Sequence, residues 1–144
     1  MSFVVDSSIT LTWCFEDEAT EEADALLIPL ANEGAHAPSL WPLEVFNALI
    51  MAQRRKRITE KQRHGMIALL HALPIILDAD TADQAWTVTN LLADQFRLTL
   101  YGASYLELAQ RLNIPLATLD TDLRAAANAI DVPLLDVKPK SLCS

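Results

Sequence analysis

The sequence predicts an α/β domain in which helices cover both faces of a short, mainly parallel central sheet. Short apolar runs alternate with longer stretches of helical spacing along the 144 residues, which is the pattern of a three-layer α/β/α architecture. Hydrophobic residues make up 51% of the chain, enough for one packed core, and we find neither a linker nor an internal repeat. We therefore predict a single domain over residues 1–144, with a flexible tail at 138–144.

The first part of the chain predicts two strands and two helices. FVVD (3–6) is typical of a buried strand, and SSITLTWCF after it indicates a short helix capped by Ser7 or Ser8. Residues 18–34 have helical spacing, with a kink expected at Pro29 and an end at Gly34. AHAP (35–38) is predicted to form the second strand.

The remaining elements continue the alternation. SLWPLEVFNALIMAQRRKR, with Pro42 in its first turn, and TEKQRHGMIALLHAL predict an αα-hairpin. PIILDAD predicts a strand, TADQAWTVTNLLADQF a helix capped by Thr81, and LTLYGASYLELAQRLN a helix that opens on Thr99. IPLATLD, DLRAAANAI and VPLLDV then predict a strand, a helix and a last strand.

Composition indicates a soluble cytoplasmic protein. We expect no membrane association, because the N-terminus lacks a basic region and the longest apolar run is short and interrupted. Cys14 and Cys143 are far apart and lack metal-ligand spacing, so we interpret both as free thiols of a reducing compartment.

The charges are unevenly distributed. The net charge is −8, yet six of the eleven Lys and Arg residues fall between Arg54 and Arg63. The net charge argues against a general nucleic-acid binder, so a polyanion would have to meet this local basic patch or metal ions that mask the carboxylates. The run Arg54, Arg55, Lys56 and Arg57 has two interpretations: contact with RNA phosphates, or a solvated helix end whose cations complement the helix dipole.

Four acids are predicted to lie near one edge of the sheet. Asp6 and Asp120 each end a predicted strand, Glu44 is in the first turn of an apolar helix, and Asp122 follows closely. Singly, Asp6 and Asp122 are explained as helix caps and Glu44 as a partner of the helix dipole. Together, acids at the carboxyl ends of parallel strands repel one another unless a cation neutralises them. Such oxygen ligands suit Mg²⁺ or Mn²⁺, and a pair of these ions would support phosphodiester cleavage.

Four motifs, VVDSS, SLWPLEVFNAL, LTLYGASYLELA and PLATLDTDL, together resemble the PIN-domain ribonucleases, specifically the VapC-type toxins of toxin–antitoxin pairs. The resemblance implies an endoribonuclease that uses Mg²⁺ or Mn²⁺ held by four acids, is typically dimeric and is silenced by a VapB-type antitoxin. By position it assigns Asp6, Glu44 and Asp120 as the first, second and fourth acids. It adds Asp122 as a candidate supplementary ligand and Ser8 and Thr118 as nearby hydroxyls.

The chain departs from the family pattern at the third acid. The pattern LTLYDAxYLELA would place Asp where this chain has Gly102. A first-turn helical position needs no positive φ, so a backbone requirement does not explain the glycine. One base change converts an Asp codon to a Gly codon. Our hypothesis is that Gly102 is an inactivating substitution, engineered or acquired in cloning, with natural degeneration of the toxin as the alternative.

Two other functions are compatible with these residues. A chain without its third acid could act as a non-catalytic module that binds antitoxin or RNA. A phosphatase-like enzyme with Asp6 as nucleophile is weaker, because Ser8 stands where the second Asp of such a site is expected. The sequence does not specify the RNA target or the antitoxin.

Overall fold

A computed structural model describes residues 2–137, so the tail predicted at 138–144 and Cys143 lie outside the described residues. The strands are β1 (Val4–Val5), β2 (Ala35–Pro38), β3 (Ile75–Asp78) and β4 (Leu116–Ala117). The helices are α1 (Ser7–Cys14), α2 (Glu21–Ala25), α3 (Leu27–Glu33), α4 (Trp41–Arg54), α5 (Glu60–Ala72), α6 (Thr81–Gln84), α7 (Val88–Phe96), α8 (Leu100–Leu112) and α9 (Thr121–Ala129). A single 3₁₀ turn, Glu16–Glu18, follows α1.

The four strands form one parallel sheet in the order β3-β2-β1-β4. Val4 of β1 pairs with His36 on one side and with Leu116 on the other. Successive crossovers run outward from β1 to β3, and the chain then returns to place β4 on the other side of β1. The strand order therefore reverses between β1 and β4, and open α/β sheets bind ligands at the carboxyl ends of strands at such a point. The predicted α/β/α fold is confirmed.

Helix α8 is the central helix of the core. All seven residues from Ala103 to Ala109 are buried, and the helix packs on β1, β2 and β4. Phe3, Ile9 and Leu49 are also fully buried in the same apolar cluster. This packing fixes where the first turn of α8, which contains Gly102, lies relative to the carboxyl edge of the sheet.

Two predicted helices are divided in the structure. The kink expected near Pro29 is a break at Leu26, which separates α2 from α3, because Pro29 has no N–H to continue the ladder. The helix predicted from residue 81 stops at Gln84 and resumes at Val88. The β-branched run from Thr87 to Thr89 disfavours helix at this break.

Three predicted termini were wrong. The N-cap position of α1 is Asp6, not Ser7 or Ser8, whose hydroxyls bond the Asp6 carboxylate instead. Thr81 is the first residue of α6 rather than its cap, because its hydroxyl is bonded to Asp78 and to the Ser39 N–H. The capping role considered for Asp122 belongs to Asp120, whose carboxylate accepts from Leu123 N at 2.9 Å.

The last predicted strand, VPLLDV, was also wrong as a strand. It reduces to a single parallel bridge between Leu116 and Leu134. Leu116 N donates to Pro133 O, and Leu135 N donates to Leu116 O. Pro133 has no N–H with which to lengthen the ladder.

The αα-hairpin of α4 and α5 is confirmed, and Thr59 with Gln62 forms a capping box at the start of α5. Cys14 is a half-buried free thiol, and burial, followed by the charge of Glu18, raises its pKa to about 11. Within residues 2–137, no helix combines the length and apolar character that a bilayer crossing requires.

Candidate active site

The candidate site lies where the strand order reverses. Asp6 directly follows β1, and Thr118 directly follows the neighbouring strand β4. Asp6 is 6% exposed and Thr118 is fully buried. The parallel pairing of β1 with β4 therefore brings two residues that are 112 positions apart in sequence into direct contact.

Neutral hydroxyl groups surround the Asp6 carboxylate. Thr118 Oγ1 donates to Asp6 Oδ2 at 2.6 Å, and Ser8 Oγ donates to the same oxygen at 2.8 Å. Ser7 Oγ donates to Oδ1 at 3.3 Å. The two hydroxyls named by position in the sequence, Ser8 and Thr118, are thus direct partners of the first acid.

The second acid, Glu44, is held by a tyrosine of α8. Tyr105 Oη donates to Glu44 Oε1 at 2.6 Å, and the Tyr105 side chain is 1% exposed. Burial, followed by the bond to Glu44 and by the negative charges of Glu44 and Asp6, raises the pKa of Tyr105 far above its usual value. The phenol therefore stays protonated and fixes one oxygen of Glu44.

Within the part of the chain that the structure describes, the negative charges of Asp6 and Glu44 are not balanced by ion pairs with Lys or Arg. Burial raises the pKa of Asp6 despite the bonds from Thr118 and Ser8. Burial also raises the pKa of Glu44, and the charge of Asp6 adds to that rise. The two carboxylates therefore form a buried to half-buried anionic pair in which protonation or an added cation would relieve repulsion.

The remaining acids are arranged differently. Asp120 is linked to Asp6 through Thr118, because Asp120 N donates to Thr118 Oγ1 at 3.1 Å. Its exposed carboxylate is bonded to the first turn of α9. Asp122 is exposed in that same turn. In the part of the chain that the structure describes, no three His, Cys, Asp or Glu side chains come close enough to hold one metal ion together.

Gly102 is the position at which the sequence analysis expected a third acid. It occupies a helical position in the first turn of α8, where its N–H donates to the Thr99 hydroxyl at 3.0 Å. A Cβ atom built there would lie 3.3 Å from Thr99 Oγ1, with no other atom among its close neighbours. The backbone does not require glycine, and α8 contributes no carboxylate to the site.

The basic run after α4 divides into two parts. Arg57 is not free to bind RNA, because its guanidinium bonds Asp17 at 2.7 Å and Glu18 at 3.0 Å and lies 3.9 Å from the centre of the Phe15 ring. Arg54, Arg55 and Lys56 are exposed at the end of α4. Arg57 is therefore held by ion pairs and an aromatic ring, which is a structural role but not the complement to the helix dipole that the sequence predicted.

Two features of the site region were not foreseen. The bond from Tyr105 to Glu44 could have been suspected, since a buried tyrosine hydroxyl needs a partner. Arg111 bonds Glu107 and Asp78, each at 2.7 Å, and joins α8 to the end of β3. The i,i+4 spacing of Glu107 and Arg111 was a visible signal for part of this ion cluster.

A short parallel sheet with one buried and one half-buried acid at its reversal point defines a class of α/β domains whose carboxylate site would favour a bound cation. Comparisons with known proteins narrow the class. Residues 3–129 match the PIN domain family model. A curated relative, ribonuclease VapC1 of Mycobacterium tuberculosis, is 32% identical in an alignment of 124 residues, and the match covers 76% of this chain and 91% of the relative.

Solved structures agree with this fold. The crystal structure of PAE2754 from Pyrobaculum aerophilum has a TM-score of 0.64 at 20% identity and covers 94% of this chain and 93% of its own. The crystal structure of VapBC2 from Rickettsia felis, bound to a DNA fragment from its promoter, has a TM-score of 0.63 at 11% identity. The match covers 97% of this chain and 100% of that chain. The chain belongs to the PIN-domain family and, within it, to the VapC-type toxin ribonucleases.

Proposed function

We propose that this chain is the toxin component of a toxin–antitoxin pair, an endoribonuclease dependent on Mg²⁺ or Mn²⁺ whose activity is weakened or abolished by Gly102. The observation that carries the proposal is the unbalanced carboxylate pair, Asp6 and Glu44, at the reversal point of the sheet of a VapC-type chain. We infer a soluble, cytoplasmic homodimer, with RNA as the substrate and a VapB-type antitoxin as the partner.

The donor chemistry suits the proposed ions, but the ligand set is incomplete. Carboxylate and hydroxyl oxygens are the ligands that Mg²⁺ and Mn²⁺ prefer. The proposed ligands are Asp6, Glu44 and Asp120, with Asp122 as a supplementary ligand, and their side chains would have to move closer together to hold one ion. A bound ion would polarise the phosphate and activate water. The absence of a three-acid group among residues 2–137 supports weak metal binding.

The protein's own residues would orient the reactants. Tyr105 fixes Oε1 of Glu44, so the other oxygen is free to accept a proton from water or to bind an ion. Ser8 and Thr118 hold the Asp6 carboxylate in one orientation. This arrangement would place water and phosphate on the solvent side of the two acids.

Restoring the acid tests the proposal. We expect Gly102→Asp to raise the rate of RNA cleavage at least about 100-fold. A recovered ion would stabilise the transition state by several kcal/mol, and each 1.4 kcal/mol is about a tenfold change in rate. Gly102→Asn is the uncharged control. Gly65→Asp is the positional control, since it adds an acid at another helical glycine, with open space around its Cβ. Cleavage would be followed on labelled RNA with Mg²⁺, Mn²⁺ or EDTA.

A non-catalytic module is the second candidate function, and the incomplete acid group favours it for the chain as it stands. In that case, calorimetry would detect no Mn²⁺ binding to the parent chain or to Gly102→Asp, and Gly102→Asp would not cleave RNA. Equal, metal-dependent cleavage by both chains would instead contradict the proposed weakening by Gly102. Sedimentation of the purified chain, with and without a co-expressed antitoxin, would test the dimer and the partner.

A further inference from the structure

An open groove of about 770 Å³ begins at Glu44. It is formed by α4, α5 and the first turn of α8. Its lining residues are Leu40, Leu43, Glu44, Phe46, Asn47, Ile50, Arg63 and Tyr101. The volume lies within the range of about 300–1,000 Å³ that holds a drug-sized molecule, so one or two nucleotides fit.

The groove presents a flat aromatic surface close to the acid site. Tyr101 is 62% exposed, and Leu43 beside it is 76% exposed. Tyr101 lies one turn before Tyr105, the residue that holds Glu44. Because both tyrosines are on the same helix, the backbone of Tyr101 has a fixed position relative to Glu44, and its exposed ring lies within reach of the groove. An exposed ring of this kind can stack on any nucleobase.

The groove carries one negative and one positive side chain, so a polyanion would be attracted only at the positive one. Glu44 is the one carboxylate of the lining residues, and Arg63 is the cation. Arg63 donates to the neutral side chain of Gln53 and lies 3.3 Å from His64 Nε2. It has no acidic partner among residues 2–137. In contrast with Arg57, Arg63 can therefore use its charge to bind an anionic ligand in the groove.

We infer that this groove holds the RNA segment next to the scissile phosphate, with a base stacked on Tyr101 and a phosphate near Arg63. The inference rests on the proposed function and extends it to a specific path for the strand. The path is continuous with the candidate site through Glu44, and its cation matches the charge of the strand. Tyr101 then acts as a binding residue that positions the strand rather than as a catalytic residue.

The full chain with Gly102 is suited to a binding measurement, because slow cleavage leaves the RNA intact. Fluorescence anisotropy would follow a labelled, mixed-sequence single-stranded RNA. We expect Tyr101→Ala to weaken binding roughly 5- to 100-fold and Tyr101→Phe to retain it, since the ring is what stacks. Trp86→Ala is the matched control, because Trp86 is an aromatic residue that is 86% exposed outside the groove. It should leave binding unchanged.

Salt dependence tests the phosphate contact separately. Arg63→Gln should reduce the slope of log K against log salt by about 0.7, the value for one phosphate of a single strand. Lys61→Gln, an exposed cation on the same helix that does not line the groove, should leave the slope unchanged. Equal slopes for the two variants would contradict the assignment of Arg63.

Any one of three results would contradict the assignment of RNA to the groove. Tyr101→Ala could leave RNA affinity unchanged or lower it no more than Trp86→Ala does. It could disrupt self-association alone, which would assign the groove to a second copy of the chain. It could disrupt antitoxin binding alone, which would assign it to that protein. If the parent chain binds no RNA and Gly102→Asp does not cleave, the proposed function fails as well.

Discussion

Two groups of carboxylates flank helix α8, and they differ in how their charge is balanced. At one end of α8, Asp78 and Glu107 share Arg111, which bonds both at 2.7 Å. Burial alone would raise the pKa of Asp78, but the bonds from Arg111 and Thr81 leave it below its ordinary value. In the second group, the donors to Asp6 and Glu44 among residues 2–137 are hydroxyl groups and the Ser7 backbone N–H, none of them cationic, and the pKa of each acid is raised.

The difference separates a structural ion cluster from a candidate functional one. A carboxylate group with an internal cation is complete and joins two elements of the fold. A carboxylate group with no cation opposes folding unless it is protonated or bound to a cation from solution. The second group therefore has a free-energy reason to bind a metal ion, and the first does not.

Removing the internal cation should have the largest effect. Arg111→Met leaves Asp78 (11% exposed) and Glu107 (3% exposed) without their partner. We expect a loss of about 3–5 kcal/mol in the free energy of unfolding, as for one member of a buried ion pair. Urea denaturation measures it, with the exposed Arg55→Met as control. A loss no larger than that of the control would mean that water replaces the guanidinium.

Removing the charge of Asp6 from the second group should raise stability, whereas removing Arg111 from the first group lowers it. Because the folded pKa of Asp6 is raised above 3.8, its contribution to stability is complete below pH 3.8 and falls as pH rises through the folded value. At neutral pH without metal, Asp6→Asn should therefore raise the Tm. The amide oxygen can still accept from Ser8 and Thr118.

The pH dependence distinguishes charge from shape. The gain from Asp6→Asn should disappear below the ordinary Asp pKa of 3.8, where the parent carboxyl is also neutral. It should reverse when Mn²⁺ stabilises only the parent chain. A Tm difference that persists unchanged at acid pH would show that packing, not charge, causes it.

The smallest effect on the free energy of unfolding is expected for Tyr105, the tyrosine of α8 that bonds Glu44. Tyr105→Phe removes the 2.6 Å bond to Glu44 without opening a cavity. We expect a loss of about 1 kcal/mol in the free energy of unfolding, because water can reach the half-buried Glu44 and replace the donor. Tyr101→Phe is the matched control, since its ring is 62% exposed. Equal losses for the two variants would mean that the Glu44 bond adds no stability.

The sequence predicts some parts of this comparison better than others. Asp6 and Thr118 follow apolar strand runs, so their common edge follows from the rule for parallel sheets. The partner of Glu44 does not follow from any local pattern, because Tyr105 is 61 residues away and only packing brings the two together. The Asp78 to Arg111 pair is non-local for the same reason.

Element ends were the least predictable part of the fold. Several side chains near the ends were available both as caps and as tertiary partners. Ser7, Ser8 and Thr81 use their hydroxyls for carboxylates across the turn, whereas Asp120 caps α9. Local sequence gives both options for each residue. The hydroxyls of Ser8 and Thr81 also accept from distant backbone N–H groups, those of Leu119 and Ser39, which no local pattern predicts.

In the first turn of α8, the identity of residue 102 can change without a change in the fold. The Thr99 hydroxyl caps this turn through the Gly102 N–H, and residue 102 packs against nothing else that a Cβ would disturb. A glycine chain and an aspartate chain, one base apart in the gene, should then share one fold and differ on the surface only at the side chain of residue 102. Under the proposed function, a cell that carries both forms would hold a competitor for the antitoxin that differs from the aspartate form by a single side chain.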